Sequence, residues 1–155
     1  MNKLLQANVY YRAAAGIITT ATKGGTYPNY TFSGWTRLVG KVLLSGNFGG
    51  MEADGQDELA DGTQLTQGEK SVASLEVTDF SAADAGTIRT AFLNHKVDVL
   101  VVDPDQPALG MGLFGVRLYP KRENPIGGAP KITIAGERKF GAAVAAIPVT
   151  DITIS

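Results

Sequence analysis

Residues 71–103 read SVASLEVTDFSAADAGTIRTAFLNHKVDVLVVD, and three successive periods within this stretch decide the fold class. In Ser71–Phe80 the residues Ala73, Leu75 and Val77 share one face, with Glu76 and Thr78 on the other, which is the pattern of a half-buried strand. From Ser81 the period lengthens: Ala85, Ile88 and Phe92 recur at helical spacing as one apolar stripe. Ser81 stands in the cap position with Asp84 three residues on, so a capping box opens a helix predicted over 81–94, its stripe lying on a sheet. Gly86 weakens that helix by about 1 kcal/mol relative to Ala, so its stability is expected to come from packing. VDVLVVD, from Val97, is then apolar on both faces and β-branched, as a central strand requires.

Working outward, LFGVRLY (113–119) places Phe114, Val116 and Leu118 together, and KITIA (131–135) and VTDITIS (149–155) repeat the alternation. Trp35–Leu44 is a further long strand candidate, and Asn8–Thr22 holds one or two more. DPDQP (103–107) closes a strand sharply, and YPKRENPIGGAP (119–130) has the Pro and Gly of a loop or hairpin tip. The expected fold is mainly β with one α-helix, a β-sandwich or barrel-like single domain spanning 1–155, a length sufficient to bury one core. One segment departs from it. Residues 45–70, with GGMEADGQDELADGTQLTQGEK at 49–70, read as an extended acidic, glycine-rich loop far longer than the usual roughly 4–6 residues.

Composition narrows the chemistry. There is no Cys, which excludes disulfides, thiolate zinc sites and a cysteine nucleophile together. The N-terminus, MNKLLQANVYYRAAAG, lacks the apolar stretch of a signal peptide, and no run approaches the roughly 18 apolar residues that cross a bilayer, so a chain made in the cytoplasm and not inserted in a membrane is expected.

The motif search points away from turnover. Aligning Gly62 with the glycine of a Ca²⁺ loop makes Asp57 and Asp61 ligands, but Leu59 fills the middle ligand position and Gly68 the place of the bidentate acid. GEKS (68–71) has Glu69 where a phosphate loop needs its Gly-Lys pair unbroken, and a strand follows it instead of a helix. The single His95 reads as a helix C-terminal residue meeting the helix dipole. The pairs Asp57–Glu58 and Asp103–Asp105 lie on turns, where carboxylates are surface charge more often than a catalytic dyad. RLYPKR (117–122) is a weak phosphate footprint in a chain of pI about 5.8. NYT (29–31) matches a glycosylation acceptor that has no consequence without secretion. Expected, then, are no enzymatic activity, no cofactor and no metal. Tyr10, Tyr11, Tyr27, Tyr30, Phe32 and Trp35 form an aromatic N-terminal segment that reads either as core or as a protein or sugar contact.

Charge is polarised along the chain. Residues 1–50 carry Lys3, Arg12, Lys23, Arg37 and Lys41 and no acid, whereas residues 51–105 hold twelve of the fifteen acids. Unless the fold intermixes these sections, copies of the chain could bind head to tail. The contact expected is Asp54, Asp57, Glu58 and Asp61 of the acidic segment meeting Arg12, Lys23, Arg37 or Lys41 of a neighbour.

A strand-rich N-terminal half, the long segment 45–70, the strand 71–80, one helix at 81–94 and β-structure to the C-terminus form an order that resembles the tail tube proteins of long-tailed phages and the inner tubes of contractile injection systems. The resemblance is architectural and covers most of the chain. It implies a virion structural subunit that forms hexameric rings stacked into a hollow conduit. Its partners would be copies of itself and other tail proteins, with DNA passing unbound along an acidic lumen and the long segment reaching an adjacent ring. Two other readings remain beside it: a capsid decoration or head-to-tail joining protein, and a binding module whose aromatic N-terminal segment recognises a glycan or cell surface.

Overall fold

The structure, a computed structural model, describes residues 8–26, 29–39, 41–44, 48, 50–66, 68–102, 108–141 and 149–155. The turn expected at 103–107, with Asp103 and Asp105, lies outside them, as do Lys3, Tyr27 and Gly49. The strands are β1 (Asn8–Ala13), β2 (Thr20–Ala21), β3 (Lys23–Gly24), β4 (Thr31–Phe32), β5 (Thr36–Arg37), β6 (Lys41–Leu44), β7 (Gly50–Ala53), β8 (Gln56–Glu58), β9 (Gln64–Thr66), β10 (Gly68–Thr78), β11 (Val97–Val102), β12 (Leu109–Val116), β13 (Tyr119–Glu123), β14 (Lys131–Gly141) and β15 (Val149–Ile154). One helix, α1 (Ala82–Phe92), stands between β10 and β11. The chain is thus mainly β with a single helix, in a sandwich curled toward a barrel. Among the described residues no helix is long and apolar enough to cross a membrane.

Two sheets carry the fold. The first has the order β2-β15-β12-β11-β1-β5; the second runs β13-β14-β10-β6, with β7 also pairing β10. Alternation along the strands builds a core on each face of the first sheet. Val9, Tyr11, Val99, Val101 and Leu113 point toward Ala73, Leu75, Val77, Ile132 and Ile134 of the second sheet, and α1 adds Ala85, Ile88 and Phe92 to the same core. On the opposite face Tyr10, Leu100, Val102, Phe114, Ile152 and Ile154 pack under Tyr30 and Phe32. The first sheet is therefore a middle layer. Every residue of β11 is buried for this reason, and each apolar one contributes about 1.5–3 kcal/mol.

Two segments read as single strands are each divided between the sheets. Trp35–Leu44 gives β5, paired with β1 in the first sheet, and β6, paired with β10 in the second. LFGVRLY ends β12 at Val116 and re-enters as β13, so Arg117 and Leu118 turn the corner. A sandwich corner needs a bend, and strands that change sheets supply it. Gly115 takes φ +63° just before this corner, and a Cβ on Gly136 would stand 2.5 Å from the Arg117 carbonyl as the chain crosses β14. The YPKRENPIGGAP stretch begins as β13, and its hairpin turn occupies Asn124–Pro130.

The helix follows its signals. Ser81 Oγ accepts from the Asp84 amide at 3.1 Å and the Ser81 amide donates to Asp84 Oδ2 at 3.1 Å, closing the capping box. His95 is exposed just past its end.

Candidate functional site

The acidic segment forms a β-hairpin where a loop was expected. Gly50 faces Val72, Ala53 faces Glu69, Gln56 faces Thr66 and Glu58 faces Gln64, so β7–β8 and β9–β10 make one ladder of unchanging register. The Asp54 amide donates to the Gly68 carbonyl at 2.7 Å across the gap between the two assigned pieces. At the tip the Leu59 amide donates to Thr63 O and the Gly62 amide to Leu59 O. Glycines that read as loop punctuation instead serve the turn and the strand edge: Gly55 and Gly62 adopt φ of +93° and +86°.

The second sheet supports this hairpin only as far as Gly68, which pairs with Gly141 of β14. Beyond that point no further strand pairs with these two among the described residues. Residues 55–65 are all exposed, so beyond its root the arm is uncovered among the described residues. At about 3.3 Å per residue it projects roughly 20 Å past the sheet.

Met51, Leu59 and Leu65 continue the core-facing side of β10 and remain 40%, 44% and 55% exposed; Asp57, paired with Leu65, shares that side, whereas Glu52, Asp54, Gln56 and Glu58 take the other. Between 50 and 66 there are five acids and no base. Lys70 approaches Glu52 to 4.0 Å and Glu137 to 3.4 Å, and Lys139 approaches Asp54 to 4.0 Å, so bases of the second sheet meet the root of the arm. Asp61 shapes the tip: the Thr63 hydroxyl donates to its Oδ1 at 2.6 Å and the Thr63 amide at 3.0 Å. These bonds, the hydroxyl's first, hold the Asp61 carboxyl below the usual aspartate range.

The bases expected to receive the arm are placed differently. Arg12 is committed within its own chain: its Nε donates to the buried Asp98 at 2.9 Å, Nη2 donates to the Gly16 carbonyl, and its guanidinium lies 4.4 Å over Trp35. Arg12 thus has three partners within its own chain. Arg37 donates to Asn29 and Asn8, and Lys23 sits 5.0 Å over the Tyr30 ring. Lys41 lies on β6 opposite Thr78, and its side chain is outside the described residues. Of the aromatic segment, Tyr10, Tyr11, Tyr30 and Phe32 are buried, with Tyr10 and Phe32 edge to face at 4.8 Å and the Tyr10 hydroxyl donating to Tyr30 O at 2.6 Å. Core is the reading that applies to these four.

A groove of about 220 Å³ lies between α1 and β13, walled by Ala85, Gly86, Ile88, Pro120 and Ile132 and flanked by Arg89 and Arg122. Arg122 donates to Asn124 at 3.2 Å and lies 5.6 Å over Phe80. Neither guanidinium forms an ion pair among the described residues. Next to them Lys121 holds Glu123 at 3.1 Å, and its hydrogen bond and charge, with that of Lys131, depress the Glu123 pKa. Sequence reading missed this groove because Arg89 and Pro120 are separated by a strand pair and meet only in the fold; the only local signal was the basic cluster at 117–122.

Comparison of the chain with protein-family models and with curated proteins, and of its fold with solved structures, gives no match.

Proposed function

We propose that this chain is a self-assembling structural protein, and more particularly a tail tube subunit: hexameric rings that stack into a conduit for DNA in a virion, made in the host cytoplasm. The observation that carries the reading is the arm, a projecting hairpin whose apolar side chains are uncovered among the described residues. A monomeric domain gains nothing from exposing Leu59 and Leu65 on an extended ribbon, and such exposure suits a contact surface. Assembly provides the missing cover, and edge strands of the two sheets can pair laterally with neighbours. The acids repel phosphates, which suits a lumen through which DNA slides. The glycan-binding alternative loses its platform because four of its aromatics are core.

The test is to shorten the arm. Replacing residues 55–67 by a two-residue Asn-Gly turn keeps β7 on β10 and removes the projection. The variant is expected to fold with an unchanged melting temperature and to sediment as single subunits or rings, where the parent forms longer assemblies. Normal stacking by the variant refutes the role given to the arm.

A further inference from the structure

The arm and the α1–β13 groove lie at opposite ends of the second sheet. The arm leaves at Gly68, paired with Gly141, whereas the groove is built around Ile132, which pairs with Val77 near the other end of β10. Nine residues of β14 separate Ile132 from Gly141, a span of about 30 Å, and the arm runs away from the groove. The tip therefore cannot reach the groove of its own chain.

The two surfaces match in chemistry. The tip presents Leu59, exposed and flanked by Glu58 and Asp61. The groove presents Arg89 and Arg122, the guanidinium pair without an ion-pair partner among the described residues, over a narrow floor of Ile88, Ile132 and Pro120 that is itself nearly closed to solvent. The geometry points to the groove between α1 and β13 as the receptor for the hairpin tip of a second copy, with Leu59 seated on the apolar floor and Glu58 and Asp61 meeting Arg89 and Arg122. This rests on the assembly reading above and names its receiving surface. Because donor and receptor are different patches at opposite ends of one sheet, the contact is heterologous, and it extends the assembly wherever its rotation does not close. It belongs to the axial stacking of subunits and not to closure of a ring.

A cysteine-free chain allows a clean test. L59C places a thiol at the tip, and G86C places one at the groove wall where an added Cβ meets no neighbour within 4 Å. Oxidation of the L59C/G86C double variant is expected to give a reducible ladder of linked subunits, and an equimolar mixture of the two single variants to give dimers that neither forms alone. R89E/R122E, both exposed substitutions, is expected to raise the concentration needed for assembly roughly tenfold or more, and E58R added to it to restore part of the loss. Assembly of the parent chain without any Leu59–Gly86 cross-link overturns the groove assignment alone. L59C linking to itself overturns it too, since the contact would then be isologous. A parent chain that sediments as a monomer at every concentration overturns the assembly reading itself.

Discussion

Asp98 has no access to water, and the strands around it are arranged to meet the cost of burying a carboxylate. Its Oδ2 accepts from Arg12 Nε at 2.9 Å and from the Ala15 amide at 3.0 Å, and Oδ1 accepts from the Gly115 amide at 2.8 Å. Arg12 stands directly opposite Asp98 in the β1–β11 ladder, and the ladder to β12 shifts register beside it, where Gly115 takes φ +63°. One carboxylate thus ties three segments together at an irregular point of the middle sheet. Breaking such a pair from one side costs about 3–5 kcal/mol, a large share of a whole domain's roughly 5–15 kcal/mol. Asp98→Ala is expected to lower the melting temperature by about 6–20 °C by scanning calorimetry, and a shift under about 2 °C would contradict this role. The partner that Arg12 meets within its own chain was not legible in the sequence, for a physical reason. Its ligand is 86 positions away along the chain, and strand pairing that brings such residues together leaves no local periodicity to read.

At the scale of elements, local signals with their partners a few residues away were legible. The Ser81–Asp84 box is present as read, and Ser81→Ala is expected to destabilise the protein by about 1 kcal/mol in denaturant titration, with no effect pointing to a cap not used. Elements whose definition depends on distant pairing were harder. The arm read as a loop because acids and glycines are poor strand formers, yet its ladder continues β10, whose apolar face anchors it in the second sheet. Its tip depends on pH in a definite direction. Because Thr63 hydrogen bonds lower the folded-state pKa of Asp61, the turn gains stability above the unfolded aspartate pKa and loses it as pH falls through the lower folded value. An NMR titration of the Thr63 amide is expected to show a midpoint below that of an unperturbed aspartate. A midpoint at or above that value would remove Asp61 from the turn. The passage from β5 to β6 and the corner at 117–118 escaped sequence reading because alternation continues across both while the chain changes sheets.

Across the whole molecule, burial on both faces of the first sheet follows from a sequence in which β11 is apolar throughout, and that much was readable from VDVLVVD. The cover over the outer face of that sheet, made by β3, β4 and Tyr30, was not, since strands of two residues carry no period. The candidate site was half legible: its acids stood out as a run, but neither its ribbon form nor its receptor groove did. The acidic arm lies beyond one end of the second sheet, and Arg89 and Arg122 lie near the other. A subunit with complementary ends separated along its strands extends by repetition. The central claim is that this repetition is what the protein does. Negative-stain electron microscopy of the purified full-length chain across a concentration series tests it most directly: the account predicts rings and stacked tubes that lengthen with concentration, and isolated monomers at every concentration would contradict it.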